Sequence, residues 1–328
     1  MSLGVIFHFG IYSVTAFDSV DSARRRKTQN GSEWYLKRLR VEPGSYRPTS
    51  GWRETQEHHD KNHKGADYFD LADGISVGKK DIDDWMDVCR EIGASYAILT
   101  SRHHDGFCLW NTKTTESNSC MRGPKIDIVK MFRDSALEHG LEFGIYYSWF
   151  EFERRFTVEY FDTVCVPQIQ ELINYQPTHW WFDGDWVITQ QVILGKIDRL
   201  CEEIRSNIGN VQINDRICMG KRVSVPDYCS YRVFSDRYMP AAVGAEKPGC
   251  RWQHINTIGY SWGYNRQQKE GDHKTGTELF DLYQRVRQLG GEFLINIGPK
   301  GTGDISEYER HSLMDFAKIK KSSEEEIA

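Results

Sequence analysis

The chain has 328 residues, with 42 Lys and Arg against 47 Asp and Glu, and a formal net charge of −5. This length is sufficient for one large barrel or two smaller domains, and the mildly acidic balance argues against a protein that binds the nucleic-acid backbone. No stretch of the sequence approaches the roughly 20 apolar residues that a membrane-spanning helix needs, so we expect no membrane span.

The amino-terminal residues pass directly into an apolar run at 5–9, without the basic region and cleavage site of a signal peptide. We therefore expect a cytoplasmic protein, or else the mature form of an exported one. The eight cysteines are scattered and none lie in a Cys-x-x-Cys pair. Such a pattern is typical of buried thiols rather than of a disulfide framework.

Short apolar strands alternate with amphipathic helices along the chain. The predicted strands, rich in β-branched and aromatic residues, are 5–9, 96–100, 143–147, 180–182, 211–214 and 293–297. The predicted helices, with apolar residues at helical spacing, are 81–92, 127–139, 164–175, 195–208 and 279–289. The polar segment 37–77 is predicted to be a long loop over one end of the fold.

Alternating strands and helices predict an α/β fold with a parallel sheet. No Gly-x-Gly-x-x-Gly motif opens a helix after a strand, which disfavours a dinucleotide-binding fold. The length fits a (β/α)8-like TIM barrel better. We expect a single catalytic domain at 1–317, followed by a charged, frayed tail at 318–328.

Polar or titratable side chains follow five of the predicted strands. They are His8, then the groups at 102–105, 146–148, 183–185 and 214–216. Because catalytic residues of a (β/α)8 barrel lie at the carboxyl ends of its strands, this set predicts an active site. Asp183 is the most informative member, since it follows three aromatic residues and a carboxylate buried there is costly unless it is used or paired.

Two groups of histidines are candidate metal ligands. His103 and His104 are adjacent, and adjacent strand residues point to opposite faces, so we favour sugar binding over zinc. His59 and His63 are four residues apart, but they lie in the segment predicted to be a solvated loop. The sequence therefore predicts no metal and no other cofactor.

The motifs of the chain resemble those of glycoside hydrolase family 29, the α-L-fucosidases. The matching blocks are IFHFG at 6–10, EWY at 33–35, LTSRHHDGFCLW at 99–110, FGIYYS at 143–148, NDR at 214–216, SWGYN at 261–265 and NIGP at 296–299. They occur in the order that the family has. Ordered matches to this many blocks make the resemblance specific.

The resemblance implies a retaining exo-α-L-fucosidase that acts on fucosylated glycans or oligosaccharides. The family's nucleophile falls on Asp183. Its fucose-binding positions fall on His8, Glu33, Trp34, His103, His104, Tyr146, Arg216 and Trp262. Retention also needs a second carboxyl group, about 5–5.5 Å from the nucleophile, to protonate the leaving oxygen.

The resemblance defines the acid/base residue less well. When residues 235–240 are aligned on their proline, Asp236 takes the place of the family's acid. An alignment anchored on Asp227 and Tyr228 would put Arg232 there and leave the site without an acid. We prefer Asp236, with Glu246 as the second candidate.

The chain departs from the family pattern in two places. Gln253 stands where many members have Glu, and an amide cannot ionise. The family's C-terminal β-sandwich is expected to be absent, because no run of alternating strands follows residue 301. The barrel surface left uncovered would be compatible with a homo-oligomer.

Two other functions stay open at this point. The uncertain acid and Gln253 are compatible with a non-catalytic, fucose-binding relative of the enzymes. The missing signal peptide is compatible with a retaining hydrolase or transglycosidase that acts on a fucose-like deoxyhexose of a microbial polysaccharide.

Overall fold

The computed structural model describes residues 2–19, 31–42, 44–45, 49–217, 230–233, 236–237, 239 and 251–325. Within these residues, strands form a single parallel sheet in the order β5-β4-β3-β2-β1-β8-β7-β6. The strands are Leu3–Phe7 (β1), Tyr96–Arg102 (β2), Glu142–Ser148 (β3), His179–Asp183 (β4), Gln212–Ile213 (β5), Arg232–Val233 (β6), Trp252–Thr257 (β7) and Glu292–Ile297 (β8).

The two edges of the sheet meet at β5 and β6. Asn214, directly after β5, forms a parallel bridge with Tyr231, directly before β6. The backbone amide of Ser230 also donates to the carbonyl of Ile213 over 2.7 Å. The sheet is therefore curled, and it is consistent with a (β/α)8 TIM-like catalytic domain. The predicted α/β class is confirmed.

Helices occupy the connections between the strands. They are Tyr12–Thr15 (α1), Tyr35–Leu39 (α2), Trp52–His63 (α3), Lys79–Glu91 (α4), Ile128–Glu138 (α5), Val158–Tyr160 (α6), Val166–Ile173 (α7), Gln191–Ile208 (α8), Gly276–Gln288 (α9) and Glu307–Glu325 (α10). The five predicted helices correspond to α4, α5, α7, α8 and α9. A π-helical turn, Phe161–Cys165, precedes α7 and occupies the beginning of the helix predicted at 164–175.

The segment 37–77 is not the long loop that its polarity predicts. It contains α3 and a 3₁₀ helix, Tyr68–Gly74. Thr55 and His59 are the buried residues of α3, so the helix has too narrow an apolar stripe for the sequence to show.

His59 is therefore a buried helical residue and not part of a solvated loop. Its Nε2 donates to the carbonyl of Ala66 over 2.8 Å, and its Nδ1 lies 3.2 Å from the Tyr35 hydroxyl. These two bonds use both ring nitrogens, which gives His59 a structural role in joining α2 to the end of α3.

Strand β7 was missed because it carries Gln253, His254 and Asn256, and reads as a polar loop. All six of its residues are nevertheless buried. Inside a small barrel, polar side chains are tolerated when they bond to one another, and Gln253 Nε2 donates to the hydroxyl of Tyr96 over 2.9 Å.

The charged residues 318–325, expected to form a frayed tail, continue helix α10. Lys320 attaches this end of the helix to the rest of the fold. Its ammonium group donates to the carbonyl of Ile92 over 3.2 Å and lies 5.9 Å from the ring centroid of Tyr283.

Alternate residues of the strands face the inside of the curled sheet. In β1, Ile6 belongs to the inner cluster, whereas Val5 and Phe7 pack in the outer core beneath the helices. The inner cluster comprises Ile6, Tyr96, Ile98, Tyr146, Trp181, Tyr231, Ile255 and Leu294. This period of two decides which residues beyond the strand ends point into the barrel.

Candidate active site

A pocket opens at the carboxyl ends of the strands, above the inner cluster. It is lined by His8, Glu33, Trp34, His103, His104, Tyr146, Trp181, Asp183, Trp186, Arg216, Asp236, Ile255 and Trp262, and with its mouth it encloses about 450 Å³. All ten residues that the sequence predicted for the site are among them. The structure thus brings together side chains that are up to 254 positions apart, His8 and Trp262.

The strand pattern explains why several of these residues face the pocket. His8 lies two residues beyond Ile6, and Asp183 lies two residues beyond Trp181, so each continues the inward face of its strand. Strand β2 contains a register shift between Thr100 and Arg102. Such a bulge changes the face on which the following residues lie.

His103 and His104 both line the pocket, although the alternation of strand residues predicts opposite faces. The reason is that β2 ends at Arg102, so neither histidine is a strand residue. Both rings are buried, and their centroids lie 4.2 Å apart. Burial lowers the pKa of His103 well below its usual value and that of His104 to about 4, so both are neutral at pH 7.

Asp183 lies at the end of β4 and is 9% exposed. Its Oδ2 accepts a hydrogen bond from the Tyr146 hydroxyl over 2.9 Å, and His104 Nε2 is 3.7 Å from the same oxygen. Its Oδ1 accepts from Arg216 Nη1 over 3.0 Å. Burial acts to raise the pKa of Asp183, but the Arg216 guanidinium outweighs it and holds that pKa below its usual value, together with His104, which is protonated only in the acid range where Asp183 titrates, and the hydrogen bond from Tyr146. The carboxylate is therefore kept ionised.

Arg216 joins the two candidate catalytic carboxylates. While Nη1 binds Asp183, Nη2 forms an ion pair with Oδ1 of Asp236. The guanidinium also lies 4.6 Å from the ring centroid of Trp181. Because both carboxylates contact nitrogens of one guanidinium, they face the same small space. The Asp236 side chain is 38% exposed, against 12% for that of Asp183.

Asp236 is held in place through its neighbour Arg237. The Arg237 amide donates to the carbonyl of Ile255 over 3.1 Å, and its Nε donates to the Thr257 hydroxyl over 3.0 Å. Its guanidinium also lies 4.9 Å from the ring centroid of Trp262. These contacts attach the described part of this loop to the end of β7.

His8 and Glu33 form the opposite side of the pocket. His8 Nδ1 donates to Oδ1 of Asn296 over 2.5 Å, and Asn296 in turn donates to the carbonyl of Trp262 over 2.7 Å. The buried Glu33 carboxylate accepts from the amides of Gly31 and Gly263 over 2.8 and 3.1 Å. Glu33 therefore connects the segment before α2 to the segment that carries Trp262.

Three residues of the pocket were missed by the sequence prediction: Trp181, Ile255 and Trp186. Trp181 could have been found, since it lies two residues before Asp183 on one strand face. Ile255 could not, because β7 itself was missed. Trp186 lies in a short 3₁₀ helix, Asp185–Val187, where no strand pattern gives its direction.

The sequence also offered alternative positions for the acid/base residue. Arg232, the occupant of the acid position in the alternative alignment, lies in β6 and does not line the pocket. Asp227, Tyr228 and Glu246 lie outside the described residues.

Within the described ranges, no group of three His, Cys, Asp or Glu is placed to hold a metal ion. In the same part of the chain, no helix has the length and apolar character to cross a membrane.

Comparison of the sequence with known protein families shows which family the chain belongs to. A family model described as "Alpha-L-fucosidase" matches residues 1–324. The chain belongs to the alpha-L-fucosidase family. Within it, the chain is 31% identical to an alpha-L-fucosidase of Dictyostelium discoideum, in an alignment that covers 93% of this chain and 65% of that protein. It is 30% identical to the plasma alpha-L-fucosidase of Homo sapiens, covering 92% of this chain and 62% of that protein.

Solved structures of alpha-L-fucosidases have the same fold. An alpha-fucosidase of Thermotoga maritima superposes with a TM-score of 0.79 at 28% identity, covering 97% of this chain and 71% of that one. The same enzyme in complex with fucose superposes with a TM-score of 0.75 at 29% identity, covering 98% of this chain and 73% of that one. The chain spans less than two thirds of the length of the curated relatives above.

Proposed function

We propose that this protein is a retaining exo-α-L-fucosidase that hydrolyses terminal α-L-fucose from glycans or oligosaccharides. The observation that carries the proposal is the pair of carboxylates, Asp183 and Asp236, that share the guanidinium of Arg216 in one pocket. A retaining glycosidase needs two carboxyl groups about 5–5.5 Å apart, one as nucleophile and one as acid and then base. A fucose complex of a relative supports the substrate class.

The different environments of the two carboxylates suit Asp183 to the role of nucleophile and Asp236 to that of acid/base. Asp183, ionised and directed into the pocket, attacks the anomeric carbon while the bond to the leaving oxygen breaks, which gives a covalent glycosyl-enzyme intermediate. Asp236 gives its proton to the leaving oxygen and later takes a proton from a water molecule, whose oxygen bonds to the anomeric carbon while the bond from that carbon to Asp183 breaks. Its ion pair with Arg216 is that of a carboxylate, the form that acts as base.

The shape and polarity of the pocket suit a single terminal deoxy sugar. Ile6, Ile98 and Leu294 of the inner cluster close the bottom of the pocket. A closed pocket suits a terminal sugar ring rather than a polysaccharide that passes through the site. The polar side chains of Glu33, His103 and His104 can bond to ring hydroxyls. Trp181 and Ile255 offer an apolar wall for a methyl group.

The test is hydrolysis of an aryl α-L-fucoside, with proton NMR of the first-formed sugar. We expect release of the phenol and initial appearance of the α-anomer of fucose. Initial appearance of the β-anomer would contradict the retaining mechanism. Binding of fucose without turnover would instead identify a non-catalytic relative. Turnover of another α-linked deoxyhexoside in preference to the fucoside would contradict the proposed substrate.

A further inference from the structure

Four aromatic side chains surround His104 at the edge of the pocket. The ring centroids of Trp34, Phe150, Phe152 and Trp186 lie 5.7, 5.4, 5.7 and 5.5 Å from that of His104. We call these four residues the aromatic rim. The rim is continuous with the catalytic centre, because His104 Nε2 lies 3.7 Å from Asp183.

Trp186 is the member of the rim that faces solvent. It is 39% exposed, and it lines the pocket. Among the lining residues, Trp186 and Asp236 are the two that are exposed rather than buried or half-buried, and they therefore mark the mouth. An indole exposed at the mouth of a pocket presents a large apolar face with which a bound ligand can make contact.

Two members of the rim, Phe150 and Phe152, are held by bonds in the segment that follows β3. The hydroxyl of Ser148 accepts from the amide of Phe150 over 3.0 Å, and the amide of Phe152 donates to the carbonyl of His104 over 2.8 Å. Between them, Glu151 forms an ion pair with the buried Arg102. Trp186 packs on this segment through Phe150, with the two ring centroids 5.7 Å apart, and a side chain that is already packed loses less conformational freedom on binding than a free one.

We propose that Trp186 is a stacking platform for the sugar unit to which the fucose is attached, so that it determines specificity for the leaving group. The inference rests on the proposed function. In an exo-acting enzyme the fucose fills the closed pocket, and the next sugar must lie at the mouth. One face of a pyranose ring presents C–H groups, which can pack on an indole in the way that other apolar surfaces do.

The test compares two substrates that differ in the leaving group: a fucosyl-oligosaccharide such as fucosyl-lactose, and α-L-fucosyl fluoride, whose leaving group has no ring. We expect W186A to reduce kcat/KM on the oligosaccharide about tenfold more than on the fluoride, an effect that burial of part of one ring face can supply. W186F, which keeps an aromatic face, should recover most of the loss. V192A, at a 56% exposed apolar residue outside the pocket lining, is the matched control and should change neither rate.

Three other results of this experiment would each contradict a different part of the proposal. Equal losses on the two substrates in W186A and W186F would mean that Trp186 supports His104 and is no platform. Unchanged rates on both would exclude any role for Trp186 in binding. If the unsubstituted protein turns over neither substrate and binds neither, the proposed function itself is wrong, and the platform with it. Because W186F keeps a ring at this position, it also tests the proposal should W186A fail to fold.

Discussion

At the scale of single residues, the pocket depends on Arg216. A buried carboxylate without a partner would tend to take up a proton. Arg216 prevents this at Asp183 and at the same time holds Asp236 on the other side of its guanidinium. One cation therefore sets both the charge of Asp183, the proposed nucleophile, and the position of Asp236.

Replacement of Asp183 tests its assignment as nucleophile. We expect Asp183→Gly to reduce turnover of an aryl fucoside by at least about 10³-fold, since no covalent intermediate can form. Azide should restore part of the activity by attacking the anomeric carbon from the vacated side. Asp185→Asn, two residues along the chain, is the control and should keep kcat. Full activity of Asp183→Gly would remove Asp183 from the mechanism.

Replacement of Arg216 tests how the charge of Asp183 is maintained. Without the guanidinium, burial becomes the dominant influence and the pKa of Asp183 rises. Because the nucleophile must be ionised, the acidic limb of the kcat/KM profile should move to higher pH in Arg216→Gln, by about 1–2 units. Lys196→Gln, which removes a surface ion pair with Asp162, is the control. An acidic limb that stays in place would show that another group keeps Asp183 ionised.

Replacement of Asp236 tests its assignment as acid/base. A substrate with a poor leaving group needs protonation of the departing oxygen, whereas an activated phenolate leaves without it. Asp236→Ala should therefore slow a natural fucosyl-oligosaccharide about 10²-fold or more, and an activated aryl fucoside much less. Glu246→Ala is the comparison variant. If it shows this leaving-group dependence and Asp236→Ala does not, Glu246 is the acid.

At the scale of secondary-structure elements, the sequence predicts what local patterns determine. Six of the strands and the residues at their carboxyl ends follow from apolar runs, and His8 and Asp183 lie where that pattern puts them. Strands β6 and β7 and the bulge in β2 do not follow, because they depend on partners elsewhere in the chain. Gln253 looks like a loop residue until Tyr96 and Trp181 are placed beside it, and the turn that brings His103 and His104 to one pocket begins where β2 loses its pairing with β3.

Gln253 tests this view of β7. Its Oε1 accepts from the indole of Trp181 over 2.9 Å, and its Nε2 donates to the hydroxyl of Tyr96 over 2.9 Å. Gln253→Leu leaves both partners buried without these bonds, which should cost about 2–4 kcal/mol in the free energy of unfolding, measured with denaturant. Gln267→Leu, at an exposed position, should stay within about 0.5 kcal/mol. Equal stabilities of the two variants would show that the network contributes nothing to the fold.

At the scale of the whole molecule, buried titratable groups act on stability in opposite directions. The neutral histidines of the pocket, with His104 at a pKa of about 4, stabilise the unfolded chain as the pH falls below about 6.5, because only the unfolded chain then takes up protons. Glu309 of α10 has the opposite effect. It is 6% exposed, and burial raises its pKa to about 8.

The effect of Glu309 on stability can be isolated by substitution. From about pH 4.5 to about pH 8 the folded protein keeps this proton and the unfolded chain does not, so the free energy of unfolding falls with rising pH, by at most about 1.4 kcal/mol per unit. Glu309→Gln removes this slope while the histidines remain, and their contribution cancels in the difference between variant and parent. We expect the free energy of unfolding of the variant to rise by about 2–4 kcal/mol relative to that of the parent between pH 5 and pH 8.5, measured with denaturant at each pH.

Glu307→Gln, on the exposed side of the same helix, is the control, and its stability should follow that of the parent protein. Parallel profiles for Glu309→Gln and the parent would mean that the folded protein holds Glu309 as a carboxylate, although the amide of Gly298, at 3.3 Å, is the donor that the structure gives it.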